Sequence, residues 1–266
     1  MSTLDPPENR AFAPADPGFL VSVAALAFLA LGLEAVADGT VLMVTGEIPA
    51  VYPLGWQVLV WLCLAALWLG VQRGLVAWMR HRAADPALGE APAPGTAAHG
   101  TAARETVPPD ASDPVADHRT TTTALVLFVA AVLLGVILPV FLVGQWRVPP
   151  IQRYLDLYAV YGGGAWLGMV GYAAYHVGRS LLLALVLVVA QRAAQLRWPS
   201  SRLVRAAPVG GVVLGVLLAL PGLLLGGVPS ALTALVCCTL LGGVHNLTGR
   251  SLRWTAPATV AVLLFV

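Results

Sequence analysis

The chain has 266 residues, 58% of them hydrophobic and only 11% charged, with a mean hydropathy of +0.82 and a net charge of +2. A soluble domain carries about 25% charged residues, and a soluble chain this apolar could not cover its own surface. A lipid-embedded helix needs no such cover. The near-neutral balance gives no electrostatic case for a nucleic-acid partner, so the lipid bilayer is the first partner expected.

The apolar stretches in chain order predict an all-α, polytopic transmembrane helical bundle with six spans plus a C-terminal half-span. Residues 1–17 are polar and Pro-rich and read as a disordered tail. Residues 18–80 form a two-helix transmembrane region, with spans near Gly18–Ala37 and Leu54–Leu75. Ala35-Val36-Ala37 resembles a signal-peptide cleavage site, but the segment ahead of the first span is acidic on balance (Asp5, Glu8, Asp16 against Arg10), which argues against cleavage. Trp56 and Trp78 sit where interfacial aromatic anchors are expected. Residues 81–121 turn abruptly to Ala, Pro, Thr, Asp and Gly without hydrophobic periodicity and read as a flexible cytosolic linker.

The C-terminal transmembrane core is 122–266. Its first span runs near Thr122–Gln145, and Tyr154, Tyr158 and Tyr161 then recur at helical spacing, which predicts an interfacial helix. Further spans follow near Gly168–Ala194, Pro208–Gly227 (interrupted at Pro221-Gly222) and Ser230–Leu247. Thr255–Val266 holds 12 residues, short of the roughly 20 that a crossing needs.

All fifteen basic residues are Arg. With the N-terminus cytosolic, twelve fall on the inner side, Arg147 and Arg153 fall outside, and Arg179 lies within a span, as the positive-inside rule prefers. The Arg-only, Ala/Gly/Pro/Val-rich composition fits a bacterial genome, so the expected location is the bacterial cytoplasmic membrane, multi-pass. Cys63, Cys237 and Cys238 lie inside apolar stretches and read as small packing residues.

The polar cluster that invites chemistry is Tyr172, Tyr175, His176 and Arg179 on the fourth span, with 172, 176 and 179 on one helical face. An Arg at the centre of a span costs roughly 3 kcal/mol on insertion scales. By count Arg179 falls within a few residues of the outer interface, and Glu34 near the outer end of the first span is its expected partner, with Asp38 second. Tyr172, His176, Arg179 and Glu34 are therefore the binding candidates, either as a site facing a polar cavity or as a structural Arg–Glu pair. His245, the other intramembrane histidine, is expected most of a bilayer away from His176, so no metal site is expected, and no cofactor. Gln191 and Gln195 read as helix-capping groups or lipid-phosphate contacts, and Gly210, Gly211, Gly215, Gly242 and Gly243 as close-packing positions.

The region 150–266 resembles the CPBP family, the CAAX-protease and bacteriocin-processing (Abi-type) intramembrane proteases. A polar-centred helix (Tyr172 to Gln195) leads to a basic loop, a Gly-rich helix and a small-residue helix, and Leu247-Thr248-Gly249-Arg250-Ser251-Leu252-Arg253-Trp254 precedes Pro257. The family's catalytic Glu-Glu-x-x-x-Arg helix has no counterpart, residues 209–227 contain no His, and only apolar residues and a threonine follow Pro257. No catalytic residue carries over. The resemblance implies a divergent, non-proteolytic member serving as a scaffold or as a partner- or lipid-binding membrane protein. A CPBP-type protease with substituted residues and a small transporter or permease subunit using Arg179 are the alternatives.

Overall fold

A computed structural model describes residues 16–46, 53–84, 118–144, 148–248 and 252–265. The 1–17 tail and the 81–121 linker lie almost wholly outside the described residues. Their edges do not: α2 continues to Ala84, and α3 begins at His118.

The described residues are all-helical. The elements are α1 (Pro17–Thr45), α2 (Leu54–Ala84), α3 (His118–Val143), α4 (Pro149–Tyr161), a single 3-10 turn (Gly162–Gly164), α5 (Ala165–Arg197), the short α6 (Arg202–Ala206), α7 (Val209–Leu247) and α8 (Leu252–Leu263). Five helical stretches are long and apolar enough to cross a membrane: Pro17–Thr40, Leu54–Arg82, Thr120–Val143, Pro149–Arg197 and Gly226–Leu247. Val209–Leu224 is apolar but shorter.

Local chemistry sets the helix ends. Asp16 accepts from the Phe19 backbone N–H to cap α1, whose first position is a proline. Gly46 ends α1 and Gly144 follows α3, both at left-handed φ near 70°, a conformation glycine adopts without steric cost.

α7 breaks at Gly227, where φ is 72° and ψ is −169°, as the expected boundary between the Pro208–Gly227 and Ser230–Leu247 spans has it, but Pro221-Gly222 does not interrupt the first arm. Gly211 abuts Gly242, Gly215 abuts Leu235, and Gly222 abuts Ser230. The paired numbers run in opposite directions, so the two arms of α7 form an antiparallel hairpin turning at Gly227. A proline costs a helix one hydrogen bond, whereas Gly227 adopts a backbone geometry that ends the helix outright. A Cβ on Gly211 would lie 2.3 Å from the Cys238 carbonyl oxygen and 2.8 Å from the Gly242 Cα, and one on Gly210 would lie 2.2 Å from the Leu187 carbonyl oxygen. The expected close packing at glycine is thus backbone against backbone.

α5 is the hub. Leu182, Leu185, Val186, Leu187 and Val189 are fully buried on every side of it, as expected of a helix apolar all round. α1, α2, α4, both arms of α7 and α8 all pack against it or against its immediate neighbours. Gly168 lies against Leu54, Gly171 against Val58 and Gly178 against Ala65; the numbers advance together, so α2 runs parallel to α5. α1 is antiparallel to α2, with Phe19 edge-on to Trp78 at 4.8 Å and the Trp68 indole N–H donating to the Ala30 carbonyl at 3.0 Å. α3 is antiparallel to the second arm of α7, through Cys237 on the Ala131 carbonyl and Leu127 on Gly243. The α1–α2 pair is therefore built onto the C-terminal core.

Trp56 and Trp78 are solvent-exposed, as are Tyr154 and Tyr158 on α4, whose rings lie 6.1 Å apart. Of the three cysteines, Cys237 and Cys238 are buried as packing residues, whereas Cys63 is exposed.

Candidate functional site

Arg179 stands near the midpoint of the 33-residue α5. The first turns of α5 hold Gly168, Gly171 and Tyr172, which pack beside α2 and α4. Its guanidinium makes no ion pair with Glu34. A Glu34 carboxyl oxygen accepts instead from the Tyr175 hydroxyl, across the α1–α5 interface. Asp38, the second expected partner, is exposed on α1. Tyr175 and Arg179 are four residues apart on α5, so Tyr175 occupies the position on the α1 side that the arginine was expected to take.

Arg179 lines a cavity of about 220 Å³ together with His176, Ser180 and Leu183 of α5, Leu218, Pro221 and Gly222 of the first arm of α7, Ser230 and Ala234 of the second arm, and Leu263 of α8. The Gly227 hairpin turn brings Gly222 and Ser230 together at its rim. This volume is well above the roughly 10–15 Å³ that one water needs and below the roughly 300–1,000 Å³ of drug-sized pockets. It suits a small polar group. The positive charge of Arg179 meets no acidic residue in the lining.

His176 Nε2 lies 3.1 Å from the Val260 carbonyl oxygen and 3.4 Å from Ser180 Oγ. A carbonyl only accepts, so Nε2 carries a hydrogen and donates to Val260. The same nitrogen then has no lone pair with which to deprotonate Ser180. A serine nucleophile activated by an adjacent histidine needs that lone pair.

Of the four sequence candidates, the cavity unites His176 and Arg179. Glu34 belongs to the adjoining Tyr175 contact. Tyr172 stacks above both, 6.1 Å from Tyr175 and 6.2 Å from His176 by ring centroids, and leans on Trp61 at 6.0 Å. Ser180 and Ser230 were not anticipated. Ser180 was legible as the i+4 neighbour of His176; Ser230 enters only because the α7 hairpin turns at Gly227.

The second histidine also holds α8. His245 Nδ1 lies 2.7 Å from Thr255 Oγ1, while His176 bonds Val260. α8 enters the bundle beside both histidines, and that topology draws them toward a common element.

Gln191 caps the start of α7 rather than the end of its own helix. Its Oε1 accepts from the Gly210 N–H at 2.8 Å and its Nε2 donates to the Ala207 carbonyl at 3.2 Å. Gln195 is buried too, with its Nε2 unpaired.

No family model, curated protein or solved structure matches the chain.

Proposed function

We propose that the chain is a multi-pass protein of the bacterial cytoplasmic membrane, with its N-terminus cytosolic, six crossings and α8 as a half-span. Within it, the Arg179 cavity binds a small anionic group, as a ligand or as the head of an amphiphile. The protein works as a non-proteolytic binding protein, in keeping with a degenerate CPBP-like core. The alternating helix directions support the span count, with both arms of α7 as crossings, and the arginine distribution supports the orientation.

The observation that carries the binding reading is an arginine with no ion pair among the described residues, lining a cavity beside His176, Ser180 and Ser230. A cation held at mid-helix in an apolar bundle costs several kcal/mol unless water or an anion compensates it, and an anion does so with charge-assisted hydrogen bonds. The test is a thermal-shift series in detergent with phosphate, sulfonate and carboxylate probes and short-chain phosphate esters. At least one raises the melting temperature of the wild type and fails to do so for Arg179→Gln. Equal responses of the two proteins to every probe refute the reading.

Transport of the same anion is the second reading, favoured by the position of Arg179 at the middle of α5, since transporter sites lie near the midplane. Uptake of the bound anion into proteoliposomes, lost in Arg179→Gln, separates transport from binding alone.

A further inference from the structure

A second cavity lies at the end of the bundle where α5 begins and shares no lining residue with the first, although Tyr172 on its wall is 6.2 Å from His176 by ring centroids. It measures about 310 Å³ and is lined by Pro149, Gln152, Arg153 and Asp156 of α4 and by Tyr172 of α5. The Arg153 guanidinium carbon sits 5.2 Å from the Trp61 ring centroid and 5.5 Å from that of Tyr172. Its Nε is buried and has no hydrogen-bond partner. Asp156 accepts from Gln152 Nε2 at 3.0 Å through Oδ1. The cavity thus presents a cation and a carboxylate that do not pair with each other, three residues apart on one helix, where Cβ atoms stand about 5–6 Å apart.

The depth of this cavity is set by its surroundings. Ile151, Tyr154, Leu155 and Tyr158 recur at helical spacing and are 41–58% exposed, which gives α4 an apolar face with Gln152 and Asp156 along its edge. Trp56 and Trp166 are exposed at the same end of the bundle. Amphipathic helices and aromatic belts of this kind lie at the level of lipid headgroups.

We propose that this cavity is a lipid site for a zwitterionic phospholipid whose headgroup carries a primary amine, with the phosphate on Arg153 and the ammonium on Asp156. Arg153 is stacked against Trp61 and Tyr172, so the group left for the lipid's cation is the Asp156 carboxylate. A carboxylate accepts hydrogen bonds from a primary ammonium, which a quaternary ammonium cannot give.

The test uses the full chain in detergent, supplemented at equal mole fraction with phosphatidylethanolamine, phosphatidylglycerol or phosphatidylcholine, with soluble phosphoethanolamine as a fourth arm. Phosphatidylethanolamine raises the melting temperature most. Asp156→Asn, at an exposed position, removes its advantage over phosphatidylglycerol, and Arg153→Gln removes the increment itself. Arg179→Gln leaves the increment intact, which keeps this site distinct from the anion cavity. Equal effects of the three lipids, or an unchanged preference in Asp156→Asn, overturn the proposal. An increment from phosphoethanolamine alone that matches the lipid's also overturns it, because the occupant is then a soluble zwitterion.

Discussion

The Tyr175 hydroxyl donates to the Glu34 carboxyl group across the interface of α1 and α5, and so ties the first membrane helix to the central one. Tyr175 is buried and also lies 5.1 Å from the Trp68 ring. The contact leaves Arg179 without that carboxylate.

Tyr175→Phe and Glu34→Gln are each expected to cost about 1–3 kcal/mol of stability, the range for a hydrogen bond to a charged group or for an orphaned buried partner. Their double mutant costs clearly less than the sum of the two. Glu34→Gln and Arg179→Gln show a smaller coupling. A double-mutant cycle on denaturant unfolding in mixed micelles checks both. Stronger coupling of Glu34 to Arg179 than to Tyr175 would restore the ion pair.

The α7 hairpin makes a contrasting pair of glycine predictions. Gly211→Ala puts a methyl group against the Cys238 carbonyl and Gly242 and is expected to destabilise by about 1–3 kcal/mol or more, as overpacking does. Gly70→Ala in α2 meets nothing within 4 Å and is expected to be neutral or to stabilise by up to about 1 kcal/mol from helix propensity. Melting temperatures of the two variants in one detergent decide it.

Gln191 joins the end of α5 to the start of α7. Gln191→Leu strands the Gly210 N–H, whereas the Ala207 carbonyl keeps the Val209 N–H and the Asn246 side chain, and is expected to cost about 1–3 kcal/mol. Gln191→Glu keeps an acceptor for Gly210 but sets a buried carboxylate against the Ala207 carbonyl, and is expected to cost at least as much. Thermal melts of the three proteins rank them.

α8 is pinned by His176 on Val260 and by His245 near Thr255. His176→Phe is expected to speed amide hydrogen exchange across Leu252–Leu263 while leaving α1 unchanged. Uniform acceleration over the whole bundle would show that His176 supports the core rather than docking α8.

Most of the fold was legible because lipid leaves few options. Apolar length identifies a helix that spans, and the spans near Leu54–Leu75 and Gly168–Ala194 lie inside α2 and α5. Helix ends were less legible, since α1 and α2 continue past their apolar stretches. The α7 turn fell where the fifth and sixth spans were expected to part, at Gly227, but the interruption expected at Pro221-Gly222 did not occur, because sequence shows the residues that weaken a helix and not whether the helix runs through them. At the site, helical spacing found His176 and Arg179. It missed that Tyr175 bonds Glu34, because i, i+4 geometry gives the face of one helix and not the rotation of α1 against it. Ser230 was beyond reach for the same reason, since it joins the cavity only through the hairpin.

Ser230, in the lining of the Arg179 cavity, reports the charge and access there. With the three native cysteines replaced by alanine, Ser230→Cys is labelled with anionic and cationic methanethiosulfonates, with Arg179 present and as Arg179→Gln. Removing Arg179 is expected to lower the ratio of anionic to cationic labelling rates several-fold, and a bound anion to slow labelling only when Arg179 is present. A rate ratio unchanged by Arg179→Gln would contradict this expectation.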